Sequence, residues 1–566
     1  MILDSQEKID DFTSKGWWGE RTITDVFDEA VAERGDELAI VDPINRPDVD
    51  GPEPRRLTWN EVDEEVNRLT HVLADHGIGK DDVFTVQLPN VVELAFVYLA
   101  AARLGAIISP LPVQHREYEI KELVPFVDSK LHITVDAIDD REYASVVADL
   151  RDEIPEVEHV LVLGDDAPEG TTALGPLMEA ADADQPATSD TSANDILTIC
   201  WTSGTEGKPK GVPRSHNHWF ISAYATVDSA ELTDEDVLLN PFPMVNMAGV
   251  GGMLVPWLLT GSQLVMHQPF DLMAFLKQVA LEQISYTVAP PAILNLLLKK
   301  KELLQQADLS SVRTIGSGSA PLTPWMVSTW QQDHGIYVIN LFGSNEGCTL
   351  VSAPTDIPSA KKRAKFFPRF GVEGFEWDNR VADCMKSRLV DIETGEEITE
   401  PGEPGELRLW GASIFPGYWN SPDLTEESFD DQGYFRTGDV FEIAGDDENE
   451  RFYRFVDRVK DIILRGGANI SASEVEGLLQ DHESITEVAV VGVPDDTLGE
   501  KACAVVVPND DEDVSLDDVV EHLRDKKIAS YKLPEELMLS EQLPRNPVGK
   551  VQKDELIEQF QKGGGQ

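Results

Sequence analysis

The segment at 196–214, ILTICWTSGTEGKPKGVPR, combines the residue types that bind phosphate groups. Its apolar beginning predicts a buried strand over 196–201, and a polar loop follows. Glycines in such a loop let backbone N–H groups approach an anion, hydroxyls donate further hydrogen bonds, and lysines add positive charge. We therefore expect a phosphate-binding loop with these candidate residues: Thr202, Ser203, Gly204, Thr205, Gly207, Lys208, Lys210 and Gly211.

This loop differs from the common P-loop, whose pattern is G-x-x-x-x-G-K-[ST]. Thr202 stands five residues before Gly207, where that pattern has a glycine, and Pro209 follows Lys208. Because short glycine-rich loops recur by chance, the segment taken alone leaves an ordinary surface loop open as an alternative.

Four later stretches complete an ordered set of motifs: NLFGSNEG at 340–347, GYFRTGDV at 433–440, DRVKDIILRGGANISASEVE at 457–476, and PRNPVGK at 544–550. Together with the loop, they resemble the AMP-forming carboxylate ligases. This adenylate-forming superfamily contains acyl- and aryl-CoA synthetases, peptide-synthetase adenylation domains and luciferases. The chain is most similar to aryl acid ligases of the 2,3-dihydroxybenzoate–AMP type, nearly from end to end. The motifs are specific for the superfamily and weak for the acid.

The resemblance implies a binding site for ATP. The residues that it assigns to adenine are Ser319, Ala320 and Pro321 in GSGSAPL, together with Asn340 and the stacking ring of Phe342. The residues that it assigns to ribose are Asp439, whose carboxylate accepts both hydroxyls, and Arg458. Each of these short motifs is also typical of an ordinary turn when it stands alone.

The resemblance also assigns Glu346 to Mg²⁺ and the phosphates. A hard divalent cation is commonly held by one protein carboxylate together with substrate phosphates. Asn345 replaces the usual threonine or alanine, and Glu206 replaces a threonine, so the coordination of the metal stays open. Asp457 stands where the family generally has glycine, which leaves either a strained or an exposed residue at that position.

The stretch NPFPMVNMAGVGGMLVPWLL at 240–259 corresponds to the acid pocket of the family. Asn246 matches an asparagine that bonds a ring hydroxyl in dihydroxybenzoate ligases. Met247 and Gly251 stand where those enzymes carry tyrosine and serine, allowing for a slip of one or two positions. Because a site discriminates for hydroxyls only while its polar partners are present, we expect a roomier and more apolar pocket.

The catalytic residues implied by the resemblance are Lys550, Glu346 and Lys210. Lys550 is expected to bridge the carboxylate of the acid and the α-phosphate, and Lys460 to be the hinge about which a small domain turns. The lead interpretation is a carboxylate–CoA ligase that activates an aryl, alicyclic or medium-length acid with ATP and transfers it to CoA. Two alternatives stay open: an aryl-acid ligase that loads a pantetheinylated carrier protein, and a nucleotide-binding protein without turnover.

Length and hydrophobic patterning predict the fold. A chain of 566 residues exceeds a single core. A capping box at Thr58–Glu61 opens a helix, and strand, helix and strand patterns follow at 84–88, 91–104 and 106–113. We predict an α/β fold with a large N-terminal domain at 1–459, containing parallel sheets, flanking helices and a small β-barrel. The C-terminal domain, at 460–566, is predicted to be a small mobile α/β domain that carries Lys550.

Composition limits the partners and the compartment. A formal net charge of −56 repels nucleic acids and anionic membranes. Four cysteines without metal-binding or C-x-x-C spacing indicate free thiols in a reducing compartment. His216 and His218 are expected to be structural. The acidic start MILDSQEKIDDF and the lack of a long apolar run argue against a signal peptide and a membrane span, so we expect a soluble cytoplasmic protein.

The excess of 103 acidic over 47 basic residues predicts dependence on salt. At molar salt the Debye length falls to about 3 Å, which mutes repulsion between surface carboxylates. Transfer to buffer without added KCl is expected to lower both the circular dichroism signal of the folded state and the activity. Full retention of both would contradict this halophilic interpretation.

Overall fold

The computed structural model describes residues 1–202, 209–267, 269–445, 450–465, 468–495, 499–509, 512–526, 528, 530–546 and 550–563. Within these ranges the side chains at 301, 305, 306, 460, 464, 468, 469, 499 and 563 are not described. All statements about structure concern the described residues.

The strands are β1 (Leu38–Val41), β2 (Arg56–Thr58), β3 (Val83–Gln87), β4 (Ile107–Pro110), β5 (Leu131–Thr134), β6 (Ala137–Ile138), β7 (Arg141–Glu142), β8 (His159–Val162), β9 (Thr172–Ala173), β10 (Ile196–Thr202), β11 (Lys210–Ser215), β12 (Val237–Asn240), β13 (Gln263–Met266), β14 (Tyr286–Val288), β15 (Thr314–Gly318), β16 (Tyr337–Gly343), β17 (Thr349–Ser352), β18 (Phe366–Pro368), β19 (Met385–Val390), β20 (Glu397–Ile398), β21 (Pro404–Gly411), β22 (Phe435–Ile443), β23 (Phe452–Arg458), β24 (Ile462–Arg465), β25 (Ala468–Ser471), β26 (Ile485–Asp495), β27 (Gly499–Pro508) and β28 (Glu536–Leu539).

The α-helices are α1 (Gln6–Ser14), α2 (Ile23–Arg34), α3 (Arg46–Val49), α4 (Trp59–Asp75), α5 (Val92–Leu104), α6 (Glu117–Phe126), α7 (Ala144–Asp149), α8 (Leu174–Ala180), α9 (His216–Ser229), α10 (Met247–Gly249), α11 (Val255–Thr260), α12 (Leu272–Leu281), α13 (Pro291–Lys299), α14 (Lys301–Gln306), α15 (Pro324–His334), α16 (Ala360–Arg363), α17 (Pro422–Ser428), α18 (Ala472–Leu479), α19 (Leu516–Asp525) and α20 (Lys553–Gly563). A π-helix spans Val250–Leu254, and 3₁₀ helices span Arg380–Cys384, Val459–Asp461 and Ser530–Lys532.

Three large sheets and the two-stranded β6–β7 sheet lie in the described part of the large N-terminal domain. One has the order β17-β16-β15-β14-β12-β13-β1-β2 and is parallel except at its two edges. A second has the order β11-β10-β4-β3-β5-β8-β9 and is parallel except for the β10–β11 hairpin. The third, β18-β23-β22-β21-β19-β20, is antiparallel. The smaller C-terminal domain contains a mixed sheet, β25-β24-β27-β26, with β28 pairing β27 in parallel.

The predicted βαβ unit is confirmed. Helix α4 begins with the capping box between Thr58 and Glu61, and its residues Val62, Val66 and Leu73 are fully buried. Strands β3 and β4 flank α5 and pair in parallel. β4 ends at Pro110, three residues earlier than expected, because Pro110 and Pro112 lack the backbone N–H that a ladder needs.

The predicted small β-barrel is found as an open antiparallel sheet. Its edge strands β18 and β20 contain only three and two residues, and among the described pairings they do not bond each other. Hydrophobic patterning of the C-terminal region predicts helices at 473–480 and 516–526 and strands at 487–493 and 502–507. Helices α18 and α19 and strands β26 and β27 agree with these ranges to within about three residues, whereas β24, β25, β28 and α20 were not predicted. Within the described ranges, no helix has both the length and the apolar character that a membrane crossing requires.

Candidate active site

The predicted phosphate loop joins the two strands of the β10–β11 hairpin. Thr202 at the end of β10 lies opposite Lys210 at the start of β11. The predicted phosphate contacts Ser203, Gly204, Thr205, Gly207 and Lys208, together with Glu206, lie outside the described residues. The two ends of the loop are therefore fixed by strand pairing, and the assignment of the loop itself stays a prediction.

Lys210 and Glu346 both contact Tyr418. The Nζ atom of Lys210 lies 5.0 Å from the centroid of the Tyr418 ring. The Tyr418 hydroxyl donates a hydrogen bond of 2.9 Å to Oε1 of Glu346, which is only 8% exposed. Burial and the neighbouring carboxylate raise the pKa of Tyr418, so the phenol stays a proton donor. Tyr418 was not among the predicted site residues, although the PGYWN turn that contains it was a usable signal.

Asn345, which departs from the family pattern, connects three segments of the site. Its Oδ1 accepts a hydrogen bond of 2.7 Å from the backbone N–H of Met247, and its Nδ2 donates one of 2.9 Å to the carbonyl of Trp201. Its own carbonyl accepts a bond of 2.8 Å from the buried Arg214. The oxygen and the nitrogen of the Asn345 side-chain amide are thus both hydrogen-bonded to protein. Neither atom is left to act as a ligand beside Glu346.

The residues assigned to adenine lie where β15 and β16 end side by side. Gly318 pairs with Leu341, which places Ser319 near Phe342. Ser319 has a φ of +67°, a backbone conformation that is uncommon for a residue other than glycine and recurs at functional sites. Ser319, Ala320 and Pro321 are exposed, and Phe342 is half-buried edge-on against Phe441. The exposed turn at 319–321 and the uncovered part of the Phe342 ring are therefore accessible to a flat ring such as adenine.

Asn340 belongs to the same strand but is almost fully buried. Its Nδ2 lies 3.2 Å and 3.3 Å from the carbonyl oxygens of Arg363 and Ala364. The amide nitrogen is therefore occupied by protein, and only the oxygen of this predicted adenine contact is uncommitted in the bonds described.

Asp439 and Arg458 face each other across β22 and β23. Arg458 Nε lies 3.4 Å from Asp439 Oδ1. Burial raises the pKa of Asp439 from 3.8 to about 6, Arg458 and Lys550 oppose this increase, and Glu346 adds to it. The pairing of β22 with β23 thus brings together the two residues predicted to bind ribose.

Lys550 is presented by a short turn before α20. Its backbone N–H donates a hydrogen bond of 2.8 Å to Oδ1 of Asn546, and Arg545 pairs with Val551 across the turn. The predicted hinge residue, Lys460, lies in the 3₁₀ helix Val459–Asp461, which joins the last sheet of the large domain to β24. The described backbone thus holds Lys550 on the C-terminal domain.

The predicted acid-pocket residues lie on α10 and the π-helix. Asn246 Oδ1 accepts hydrogen bonds from the backbone N–H groups of Ala248 and Gly249 and so caps α10. A Cβ atom on the buried Gly251 would lie 2.8 Å from Met247 Sδ and 3.2 Å from the ring of Trp219. On the half-exposed Gly252 it would meet nothing nearer than 3.8 Å. Gly252, one position along, borders open space, and π-helical turns often occur at functional sites.

The candidate metal site consists of one carboxylate. No group of three His, Cys, Asp or Glu residues in the described part of the chain is arranged to hold a metal ion. Glu346 suits a Mg²⁺ ion whose other ligands come from a phosphate-bearing substrate. His216 and His218 are buried, burial lowers the pKa of His216 to about 4, and their Nδ1 atoms bond the backbone N–H groups of Ile23 and Ser215.

Comparison with known proteins gives a consistent result. Residues 27–419 match the family model for AMP-binding enzymes, and residues 474–550 match that for the AMP-binding enzyme C-terminal domain. The medium-chain fatty-acid–CoA ligase of Escherichia coli (strain K12) is 29% identical over 546 residues, covering 96% of this chain and 91% of that protein. The indoleacetate–CoA ligase of Aromatoleum aromaticum is 31% identical over 511 residues, covering 89% and 93%.

Among solved structures, ATP-bound MatB from Rhodopseudomonas palustris has a TM-score of 0.78 at 25% identity and covers 95% of this chain and 99% of its own. The particular likeness to 2,3-dihydroxybenzoate–AMP ligases and the domain boundary at Lys460 stay predictions. The family model spans well over half of the chain and includes the strand ends that carry Thr202, Ser319 and Glu346. The chain therefore belongs to the family of AMP-binding enzymes, within the adenylate-forming acyl-CoA synthetase superfamily.

Proposed function

We propose that the protein is an AMP-forming carboxylate–CoA ligase. It activates an aryl, alicyclic or medium-length carboxylic acid with ATP to an acyl-AMP and then transfers the acyl group to CoA. The single observation that carries the proposal is the 3.4 Å contact of Asp439 with Arg458 across β22 and β23, in a chain that matches both AMP-binding family models. Relatives named as CoA ligases for fatty acids, indoleacetate and 4-coumarate support the choice of acceptor.

The first half-reaction needs no nucleophilic side chain. The substrate carboxylate attacks the α-phosphorus of ATP, an acid anhydride bond forms, and pyrophosphate leaves with the bonding electron pair. Lys550 and Lys210 hold the carboxylate and the phosphates together as negative charge develops. Two unit charges about 4 Å apart attract each other by about 4 kcal/mol at an effective dielectric constant of about 20, so positioned lysines supply a large share of the catalysis.

Asp439, Glu346 and Phe342 orient the nucleotide, and Arg458 and Tyr418 hold the two carboxylates in place. Asp439 accepts hydrogen bonds from the two ribose hydroxyls while Arg458 holds its carboxylate in place. Glu346, oriented by the Tyr418 hydroxyl, is the residue that would hold Mg²⁺, which neutralises phosphate charge when bound. Phe342 presents a face to the adenine ring.

In the second half-reaction a thiolate attacks the acyl carbon, a thioester bond forms and AMP leaves. The C-terminal domain turns about Lys460, which withdraws Lys550 and admits CoA. An enzyme that uses ATP and CoA fits the cytoplasm, and the four free cysteines fit its reducing conditions.

A panel of carboxylic acids, read by acid-dependent pyrophosphate release with and without CoA, tests the function. Thioester formation with free CoA is the expected result. Activation followed by transfer only to a pantetheinylated carrier protein would favour the alternative aryl-acid ligase, and ATP binding without pyrophosphate release would favour a protein without turnover.

Replacement of Lys550 is expected to separate the two half-reactions. Lys550→Ala should lower the rate of adenylation by about 10²- to 10³-fold, because a charge at the reacting phosphate is lost. Transfer from preformed acyl-AMP to CoA should stay near the wild-type rate. The exposed Lys562, whose partner is Glu558 on the same helix, provides the matched control Lys562→Ala. Equal losses in both half-reactions would contradict the role of Lys550.

Acidification is expected to weaken ATP binding through Asp439. With a pKa of about 6, this carboxyl group is charged above that pH and neutral below it. Since only the charged form accepts both ribose hydroxyls well, KM for ATP should increase about tenfold for each pH unit below the pKa. Asp439→Asn should have a high KM at every pH, and it controls for the titration of ATP itself. A wild-type KM independent of pH between 7 and 5 would contradict the assignment.

Side chains added at Gly252 are expected to shorten the acid pocket. The series Gly252→Ala, Gly252→Val and Gly252→Leu should progressively lower kcat/KM for bulky acids and retain activity on small ones, because the added atoms enter open space. Gly477→Ala, on α18 and with no atom within 4 Å of the added Cβ, is the control, because it lies outside the predicted pocket. An unchanged acid profile for Gly252→Leu would place the pocket elsewhere.

A further inference from the structure

Asp457 lies at the end of β23, the last strand of the large domain. Because the resembling family generally has glycine at this position, the sequence left two alternatives for Asp457, an exposed residue or a strained one. The structure excludes both, because Asp457 is 1% exposed and is not among the residues with positive φ. A buried carboxylate is costly unless hydrogen bonds compensate for the lost water.

The partners of Asp457 lie mainly in the C-terminal domain. Its carboxylate accepts hydrogen bonds from the backbone N–H of Arg458 at 2.8 Å and from that of Ser473 at 3.1 Å. The hydroxyls of Ser471 and Ser473 lie 3.1 Å and 3.2 Å from it. Ser471 is the N-cap of α18, and its hydroxyl also lies 2.7 Å from the carbonyl of Val456. The negative charge therefore sits at the positive end of α18, where the helix dipole favours it.

The same helix is bonded to the segment that carries Lys550. On α18, Oε1 of Glu476 accepts hydrogen bonds from Lys553 Nζ at 2.8 Å and from the backbone N–H of Val490 at 2.7 Å. Burial lowers the pKa of Lys553, and the attraction of Glu476, Asp457 and Asp461 outweighs this, so the net shift is upward. Lys553 begins α20, three residues after Lys550. A continuous chain of contacts thus joins Asp457 to the turn with Lys550.

The first end of this chain lies beside the candidate nucleotide site. Asp457 pairs in register with Val440 on β22, the residue that follows Asp439. The strand pair therefore carries the bonded anchor of the C-terminal domain, Asp457, next to the residue predicted to bind ribose, Asp439. A change at Asp457 is expected to alter how the C-terminal domain presents Lys550 to that site.

We propose that Asp457 is a positioning residue that sets the orientation of the C-terminal domain through Ser471 and Ser473 and thereby places Lys550 at the nucleotide. This inference rests on the proposed function. Asp457 does not touch the reacting atoms, so its effect on adenylation passes through Lys550. Removing its carboxylate leaves the two hydroxyls and the Ser473 N–H without their acceptor and loosens the orientation.

A double-mutant cycle tests the inference. Acid-dependent pyrophosphate release is measured for the wild type, Asp457→Ala, Lys550→Ala and the double variant. Asp457→Ala should lower kcat by about ten- to a hundredfold, within the range of coupled neighbouring sites, with a much smaller change in KM for ATP. In the Lys550→Ala background the same change should have almost no further effect. Asp457→Asn, which retains one acceptor oxygen, should be intermediate.

The control removes a carboxylate from the capping box of α19, whose hydrogen bonds are to Ser515 and not to β22 or β23. Asp518 in the same domain accepts hydrogen bonds from the N–H and the hydroxyl of Ser515 at the start of α19. Asp518 is exposed, so Asp518→Ala should lower the thermal stability less than Asp457→Ala. Its kcat, measured at a temperature at which both variants are folded, should stay at the wild-type value. A structural role alone would make the two variants alike in activity.

Hydrogen exchange gives a readout that does not depend on turnover. Peptides that cover 471–476 and 550–553 should exchange faster in Asp457→Ala than in the wild type or in Asp518→Ala. Multiplicative losses in the cycle, or unchanged exchange at 550–553, would overturn the inference. If the wild type releases no pyrophosphate with any acid, the proposed function fails, and the exchange data alone decide whether Asp457 positions the turn.

Discussion

The hydrogen bonds that Asp457 accepts from Ser471 and Ser473 connect two domains that have separate hydrophobic cores. The C-terminal domain has one core cluster between Ile463 and Leu523 and a second between Ala489 and Leu556, and neither includes a residue of the large domain. Apolar packing therefore gives each domain its shape, and the polar bonds of Asp457 join the two. Such polar contacts exchange easily with water, which suits the domain rotation that the proposed function requires.

Patterns along the chain predicted much of this fold. The capping box at Thr58–Glu61 and the buried stripe of α4 depend only on neighbours in sequence, and both were found. The parallel pairing of β28 with β27 was not predicted, since it joins segments that are far apart in the C-terminal domain. The β24–β25 hairpin was also not predicted, although its two strands are neighbours in sequence.

The candidate site was likewise predicted only in part from the sequence. Asp439 and Arg458 were singled out by their motifs, and the structure places them 3.4 Å apart. The roles of both, and of Lys550, stay predictions. Sequence could not show that the amide of Asn345 is used up by Met247 and Trp201, or that Asn340 is turned toward the carbonyls of Arg363 and Ala364. Nor could it separate Gly251 from Gly252, since adjacent glycines differ only in what their missing side chains would meet.

The bridge made by Asn345 has a consequence for redesign. One amide holds both the first residue of the pocket helix and the strand that leads into the phosphate loop. Substitutions that shift the backbone at Met247 should therefore also disturb the predicted phosphate loop. A Cβ atom on Gly252 would have the Met247 carbonyl oxygen as its nearest neighbour, at 3.8 Å, so only side chains at 252 that leave this backbone in place keep the connection intact. Residues that change selectivity for the acid can thus be chosen separately from residues that bind the nucleotide, provided that the backbone at 247 stays in place.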